Sequence, residues 1–99
     1  MKYQVRYTKA AKDDLLRLYK FLLENDLDAA NSAFEAIRKS IDLLQDFPFT
    51  CRKASPENPF LREMVISFGA GGYVALFEIE ADSIVTILAV RHQREEDYH

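Results

Sequence analysis

Tyr73-Val74-Ala75-Leu76-Phe77-Glu78-Ile79-Glu80-Ala81-Asp82-Ser83-Ile84-Val85-Thr86-Ile87-Leu88-Ala89-Val90 carries the strongest structural signal in the chain. Tyr73 to Ile79 carries apolar side chains on both faces of an extended segment, which predicts a central strand. Ala81-Asp82-Ser83 is a turn, and Ile84 to Val90 is a second buried strand rich in β-branched residues. So short a connection joins antiparallel neighbours. Upstream, Gly69-Ala70-Gly71-Gly72 predicts another turn, because glycine adopts positive φ without steric cost. Before it, Phe60 to Ile66 reads as a strand, with Arg62, Met64 and Ile66 on one face and Leu61, Glu63 and Val65 on the other. Three such strands form a meander.

Further upstream the period changes. Residues 48–59, with Pro48, Pro56, Pro59, Ser55 and Asn58, read as a loop. Ala30, Phe34, Ile37, Ile41 and Leu44 are spaced as an apolar helical seam, predicting a helix from about residue 28 to 46 that ends at Pro48. Ala29, Ala30, Ala33 and Ala36 are small enough for a neighbouring helix to approach closely. That neighbour is predicted over residues 9–24, where Leu15, Leu18, Tyr19 and Leu22 repeat every three or four residues. Thr8 is its expected N-cap, and Asp13 and Asp14 are expected to place negative charge near its start. Asn25-Asp26-Leu27-Asp28 supplies the turn and cap between the helices, which should lie antiparallel. Tyr3, Val5 and Tyr7 alternate with Gln4 and Arg6 as a half-buried strand does. The predicted order is β-α-α-β-β-β. This is an α+β fold, with a helical hairpin on one face of a mostly antiparallel twisted sheet and one domain over residues 1–99.

Composition narrows the function classes. A 99-residue chain that is 48% hydrophobic suits one folded domain. Its apolar runs fall short of the ~20 residues that span a bilayer, and the N-terminus does not resemble a signal peptide. Cys51 is the single cysteine; it excludes an internal disulfide and a cysteine-based metal site, and reads as a reduced structural thiol. A cytoplasmic protein without cofactor, metal, membrane partner or small-molecule substrate is expected. Net charge is −3 but unevenly spread. Residues 1–20 hold six basic residues against two acidic ones, whereas residues 21–50 hold six acidic against two basic. That pattern argues against tight non-specific binding to nucleic acid, which needs a broadly basic footprint.

The chain ends in Arg91-His92-Gln93-Arg94-Glu95-Glu96-Asp97-Tyr98-His99, which contains both histidines. A buried strand that runs into a cationic, titratable tail is a natural place for chemistry or docking. Its plainer reading is a strand end followed by a solvated charge run.

The order of elements and four local motifs resemble the RelE/ParE superfamily of bacterial toxins from type II toxin–antitoxin (plasmid stabilisation) systems. The motifs are Tyr7-Thr8-Lys9-Ala10-Ala11-Lys12-Asp13-Asp14-Leu15, Leu61-Arg62-Glu63, Gly72-Tyr73-Val74-Ala75-Leu76-Phe77 and Val90-Arg91-His92-Gln93-Arg94. The resemblance covers essentially the whole chain and implies one of two activities. RelE-like members cut mRNA on the ribosome, and ParE-like members poison DNA gyrase without a known catalytic centre. His92-Gln93-Arg94-Glu95-Glu96-Asp97 looks more like the ParE-type ending, so a gyrase-directed growth inhibitor neutralised by a cognate antitoxin is the expectation. The alternatives are a ribosome-dependent mRNA endoribonuclease and a non-toxic antitoxin-binding module of the same fold.

As a ribonuclease the chain would use His92 as base or acid and Arg62, Arg91 and Arg94 to hold phosphate, with Tyr73 or Tyr98 stacking on a base. Against that, the acidic run after Arg94 repels phosphate, and Arg52, Lys53 and Arg62 are the only cations between positions 40 and 90. As a binding protein it would present Lys9, Lys12, Arg17, Lys20, Arg91, His92 and Arg94 to an acidic antitoxin segment, by strand addition or helix-in-groove docking.

Overall fold

The computed structural model describes residues 2–69 and 71–94; Ala70 and residues 95–99, including Tyr98, lie outside the described residues. Strand β1 spans Gln4–Tyr7, helix α1 Lys9–Leu23 and helix α2 Leu27–Asp42. Two 3-10 turns, Leu43–Gln45 and Pro48–Thr50, lead into strands β2 (Arg52–Ser55), β3 (Asn58–Phe68), β4 (Gly71–Glu80) and β5 (Ile84–His92). The sheet order is β1-β5-β4-β3-β2. The β3-β4-β5 meander is antiparallel, as expected, and β1 adds to β5 in parallel. β4 is the central strand.

Both helices start where the side-chain chemistry dictates. The Thr8 hydroxyl accepts from the Ala11 N–H, and the Asp26 carboxylate accepts from the N–H groups of Asp28 and Ala29. These bonds satisfy amides that the first helical turn cannot pair internally. The hairpin then buries Ala11 and Leu18 of α1 and Ala33, Ile37 and Ile41 of α2 against Ile66, Tyr73, Ala75, Phe77, Val85, Ile87 and Val90 of the sheet. Phe77 is fully buried at the centre, where truncation to alanine would cost about 3–5 kcal/mol.

Four expectations need correction. Residues 48–59 are not a loop throughout: Arg52–Ser55 forms an edge strand paired with β3 in the register Arg52↔Glu63 and Lys53↔Arg62. Four residues of mixed polarity carry too weak an alternation to stand out beside prolines, and it is β3 that supplies the missing partner. Phe34, placed in the buried seam of α2, is 42% exposed and packs edge-on against Tyr19 instead. Asp13 and Asp14 do not act on the first turn of α1, which holds no acidic residue. Asp13 pairs with Lys9 at the surface, and Asp14 points into the protein. Finally, β5 does not stop at Val90. Arg91 and His92 are sheet residues, opposite Val74 and Tyr73, so the cationic segment begins inside the fold.

The register of β5 contains one irregularity with large consequences. Ile87 lies opposite Phe77 and Ala89 opposite Leu76, which leaves Leu88 as an extra residue, a β-bulge. Before it, Val85 and Ile87 face the helices; after it, Val90 does. The bulge therefore puts His92 on the helix side and Arg91 on the opposite face.

Candidate functional site

A cavity of about 640 Å³ opens between α1 and the end of the sheet where β3, β4 and β5 meet. Arg17, Leu18, Phe21 and Leu22 form its helical wall, and Phe68, Tyr73, His92 and Arg94 form the other. Size and predominantly apolar lining with a few convergent polar groups suit a ligand or docking site.

Each wall follows from local structure. Arg17, Leu18 and Phe21 recur at helical spacing, so they share one side of α1. On the sheet side, Tyr73 and His92 are direct cross-strand partners, with ring centroids 5.6 Å apart in an edge-to-face arrangement. Phe68 also packs against Tyr73, with ring centroids 6.3 Å apart. The Arg94 N–H donates to His92 Nδ1 at 3.1 Å, so in neutral imidazole the proton sits on Nε2. Burial pushes the Tyr73 phenol above its usual pKa, keeping it a neutral hydrogen-bond donor near pH 7. Gly71 lies under the imidazole, where an added Cβ would sit 3.4 Å from ring atoms.

Asp14 sits behind this wall with 4% of its surface exposed. Its Oδ2 accepts from the Val90 N–H at 2.9 Å, and its Oδ1 lies 3.8 Å from Arg17 Nη2.

The residues singled out from the sequence separate into groups. Arg17, His92 and Arg94 come together around the cavity. Lys20 lies nearby on a groove with Asp13, Leu16, Phe21 and Glu24. Lys12 lines a different groove with Leu15, Leu16, Tyr19, Asn31 and Phe34, between the two helices. Lys9 pairs with Asp13 at the exposed start of α1.

Arg91 is on the other face of the sheet, its Nη1 donating to the carbonyls of His92 and Gln93. Arg62 lies opposite Phe77, four residues along β4 from the Tyr73 that pairs with His92, and is a structural clamp. It donates to the carbonyl oxygens of Pro59, Phe49 and Cys51 at 2.7, 3.2 and 2.8 Å, and its guanidinium lies 5.3 Å from the Phe49 ring centroid. The neighbouring Glu63 pairs with Arg52 of β2 at 3.2 Å. Cys51 is half-buried, and burial pushes its thiol pKa up, which keeps it unreactive.

Sequence reasoning passes over Phe21 and Phe68, and it gives Asp14 a role at the helix start rather than beside the cavity. A signal for Asp14 is present: Ala11, Asp14, Leu18 and Leu22 step by three, four and four along α1, so a carboxylate occupies a seam position that normally holds an apolar side chain. Phe21 is 65% exposed, and only its position against the sheet end gives it meaning.

Residues 5–97 match the family described as "ParE toxin of type II toxin-antitoxin system, parDE". The chain is 33% identical over 85 residues to a protein named Toxin RelE3 from Caulobacter vibrioides, a span covering 86% of this chain and 88% of that one. Its fold is similar to a chain of the chromosomal ParDE toxin–antitoxin system from P. aeruginosa, with a TM-score of 0.73 and 18% identity, covering 92% of this chain and 96% of the other. It is also similar to a chain of the toxin–antitoxin complex RelBE2 from Mycobacterium tuberculosis, with a TM-score of 0.62 and 22% identity, covering 94% and 100%. At these identities the two structures speak to fold alone. No helix among the described residues is long and apolar enough to cross a membrane.

Proposed function

This chain belongs to the ParE toxin family of type II toxin–antitoxin systems, within the RelE/ParE superfamily, and we propose that it arrests growth in the cytoplasm by acting on DNA gyrase. A cognate antitoxin holds it inactive, and residues 1–99 act as one toxin domain. The dispersal of its cations carries this reading. Ribonucleolytic cleavage needs an acid, a base and several cations converging on one phosphate. Arg62 is committed to three main-chain carbonyls, and Arg91 lies across the sheet from His92. Arg17 and Arg94 are the two guanidinium groups that line the His92 cavity.

The antitoxin engages the basic side of α1 and the cavity beside it. Exposed Leu16 and Phe21 supply apolar anchors, and Lys12, Arg17 and Lys20 steer an acidic segment to them. The association rate should fall as ionic strength rises; a salt-independent rate would remove the steering role.

A second reading rests on the same cavity. His92, Arg17, Arg94 and Tyr73 share it, and on a ribosome-bound mRNA the histidine would handle protons while the arginines hold phosphate. Two assays on the purified protein separate the readings. Inhibition of gyrase supercoiling with mRNA left intact by primer extension in a coupled translation reaction supports gyrase. Codon-phased cuts with normal supercoiling overturn it in favour of the nuclease. Neither effect, together with harmless expression, identifies a non-toxic antitoxin-binding module.

A further inference from the structure

We infer that Asp14 is a positioning residue that fixes the end of β5, and with it His92, against the cavity. β1 covers one edge of β5 only from Gln4↔Ile84 to Tyr7↔Ile87. At Thr8 the chain turns into α1, so among the described residues no strand flanks Leu88–His92 on that side. The helix replaces the missing strand with side chains. The Thr8 N–H donates to the Ile87 carbonyl at 3.0 Å, and the Thr8 hydroxyl reaches the carbonyls of Ile87 and Leu88 at 3.1 and 3.2 Å. Two turns further along α1, the Asp14 carboxylate accepts the Val90 N–H.

The bulge makes that last bond necessary. In β5 the amides that face β1 belong to Val85 and Ile87; the extra residue at Leu88 shifts the alternation, so Val90 turns its amide toward α1. The site is buried, and a buried amide left without an acceptor is costly. A straight strand would use Ala89 instead and turn His92 away from the helices. Asp14 therefore favours the bulged register over the straight one, and the bulged register is what brings His92 to Tyr73 and to Arg17. The second carboxylate oxygen faces Arg17, so one side chain sets the relation between both walls of the cavity.

This inference rests on the cavity around His92 being the functional site, but its direct test does not need the target. In the full-length protein labelled with carbon-13 and nitrogen-15, a scalar coupling across the hydrogen bond is expected between the Val90 amide nitrogen and the Asp14 carboxylate carbon. Asp14→Asn keeps an acceptor oxygen and should retain slow exchange of the Val90 amide, the wild-type His92 ring shifts and growth arrest. Asp14→Ala should speed Val90 exchange by about ten-fold or more, move the His92 and Tyr73 ring signals, and abolish growth arrest, while central β4 amides stay protected. Absence of the coupling in the wild type, or unchanged His92 signals in folded Asp14→Ala, overturns the inference. Should Asp14→Ala fail to fold, the wild-type coupling and the Asp14→Asn spectrum decide it alone. A wild-type protein that neither arrests growth nor inhibits gyrase overturns the proposed function, and the coupling still decides the role of Asp14.

Discussion

Ending the chain after Val90 rather than after Arg94 removes four residues that the sequence presents as a cationic tail beyond the last strand, needed for function but not for the fold. In the structure Arg91 and His92 pair with Val74 and Tyr73, and the Gln93 N–H donates to the Gly72 carbonyl at 2.9 Å. Losing that ladder bond costs about 1 kcal/mol. The edge-to-face contact of His92 with Tyr73 adds about 1 kcal/mol. Tyr73, 3% exposed, loses its cover on one side, for roughly 1 kcal/mol more of apolar burial. The 1–90 chain should thus be less stable than the 1–94 chain by about 3 kcal/mol, lowering Tm by roughly 12–24 °C for a domain of this size. Thermal unfolding followed by circular dichroism, with urea titration of both chains, measures it. Equal Tm and equal urea midpoints would refute the account and return residues 91–94 to the status of a tail. Loss of toxicity in the 1–90 chain would not by itself identify a docking residue; His92→Ala and Arg94→Ala in the full-length protein are the cleaner probes.

Gly72→Ala should destabilise by about 3 kcal/mol or more, because its Cβ would fall far inside van der Waals contact with the Ile66 carbonyl oxygen. Gly69→Ala, at φ +59° with open space around it, should cost only about 1 kcal/mol; similar urea midpoints for the two variants would contradict the geometry. Arg62→Ala should lower stability by about 2 kcal/mol through the loss of its carbonyl bonds. Its toxicity per folded molecule should be unchanged, and a loss of toxicity at wild-type stability would restore Arg62 to the site. The Thr86 hydroxyl and Arg6 hold the Glu80 carboxyl below the ordinary glutamate value of 4.5, so its stabilisation is present above that value and lost as pH falls through the lower folded-state pKa. Glu80→Gln should therefore flatten the decline of Tm with acidification below about pH 4.5; an unchanged acid limb would show that Glu80 contributes nothing to it.

The elements readable from the sequence are those with long, regular patterns. Apolar spacing and the Thr8 and Asp26 caps mark α1 and α2, and apolar runs with glycine or Asp-Ser turns mark the meander. β2 escapes such a reading because four residues beside three prolines make a strand only when β3 lies alongside. Phe34 is misplaced by it because spacing locates a face of a helix and not the width of what covers it. In the candidate site, residue type alone points to His92, Arg94 and Arg17. It does not point to Phe68 or Phe21, since an aromatic side chain looks like core until its exposure is known.

A helical hairpin on a sheet is written into the amino-acid order, because periodicity, caps and turn residues act within a few positions of one another. Which face each C-terminal residue occupies is settled by three-dimensional packing instead. Strict alternation from Val85 through Ile87 would aim Arg91 at the helices and His92 away from them. One extra residue at Leu88 reverses that choice. What favours the bulge is a carboxylate 76 positions earlier in the chain, Asp14, accepting the Val90 amide where β1 has run out. A parity set by a contact so distant in sequence leaves no periodic trace in either segment.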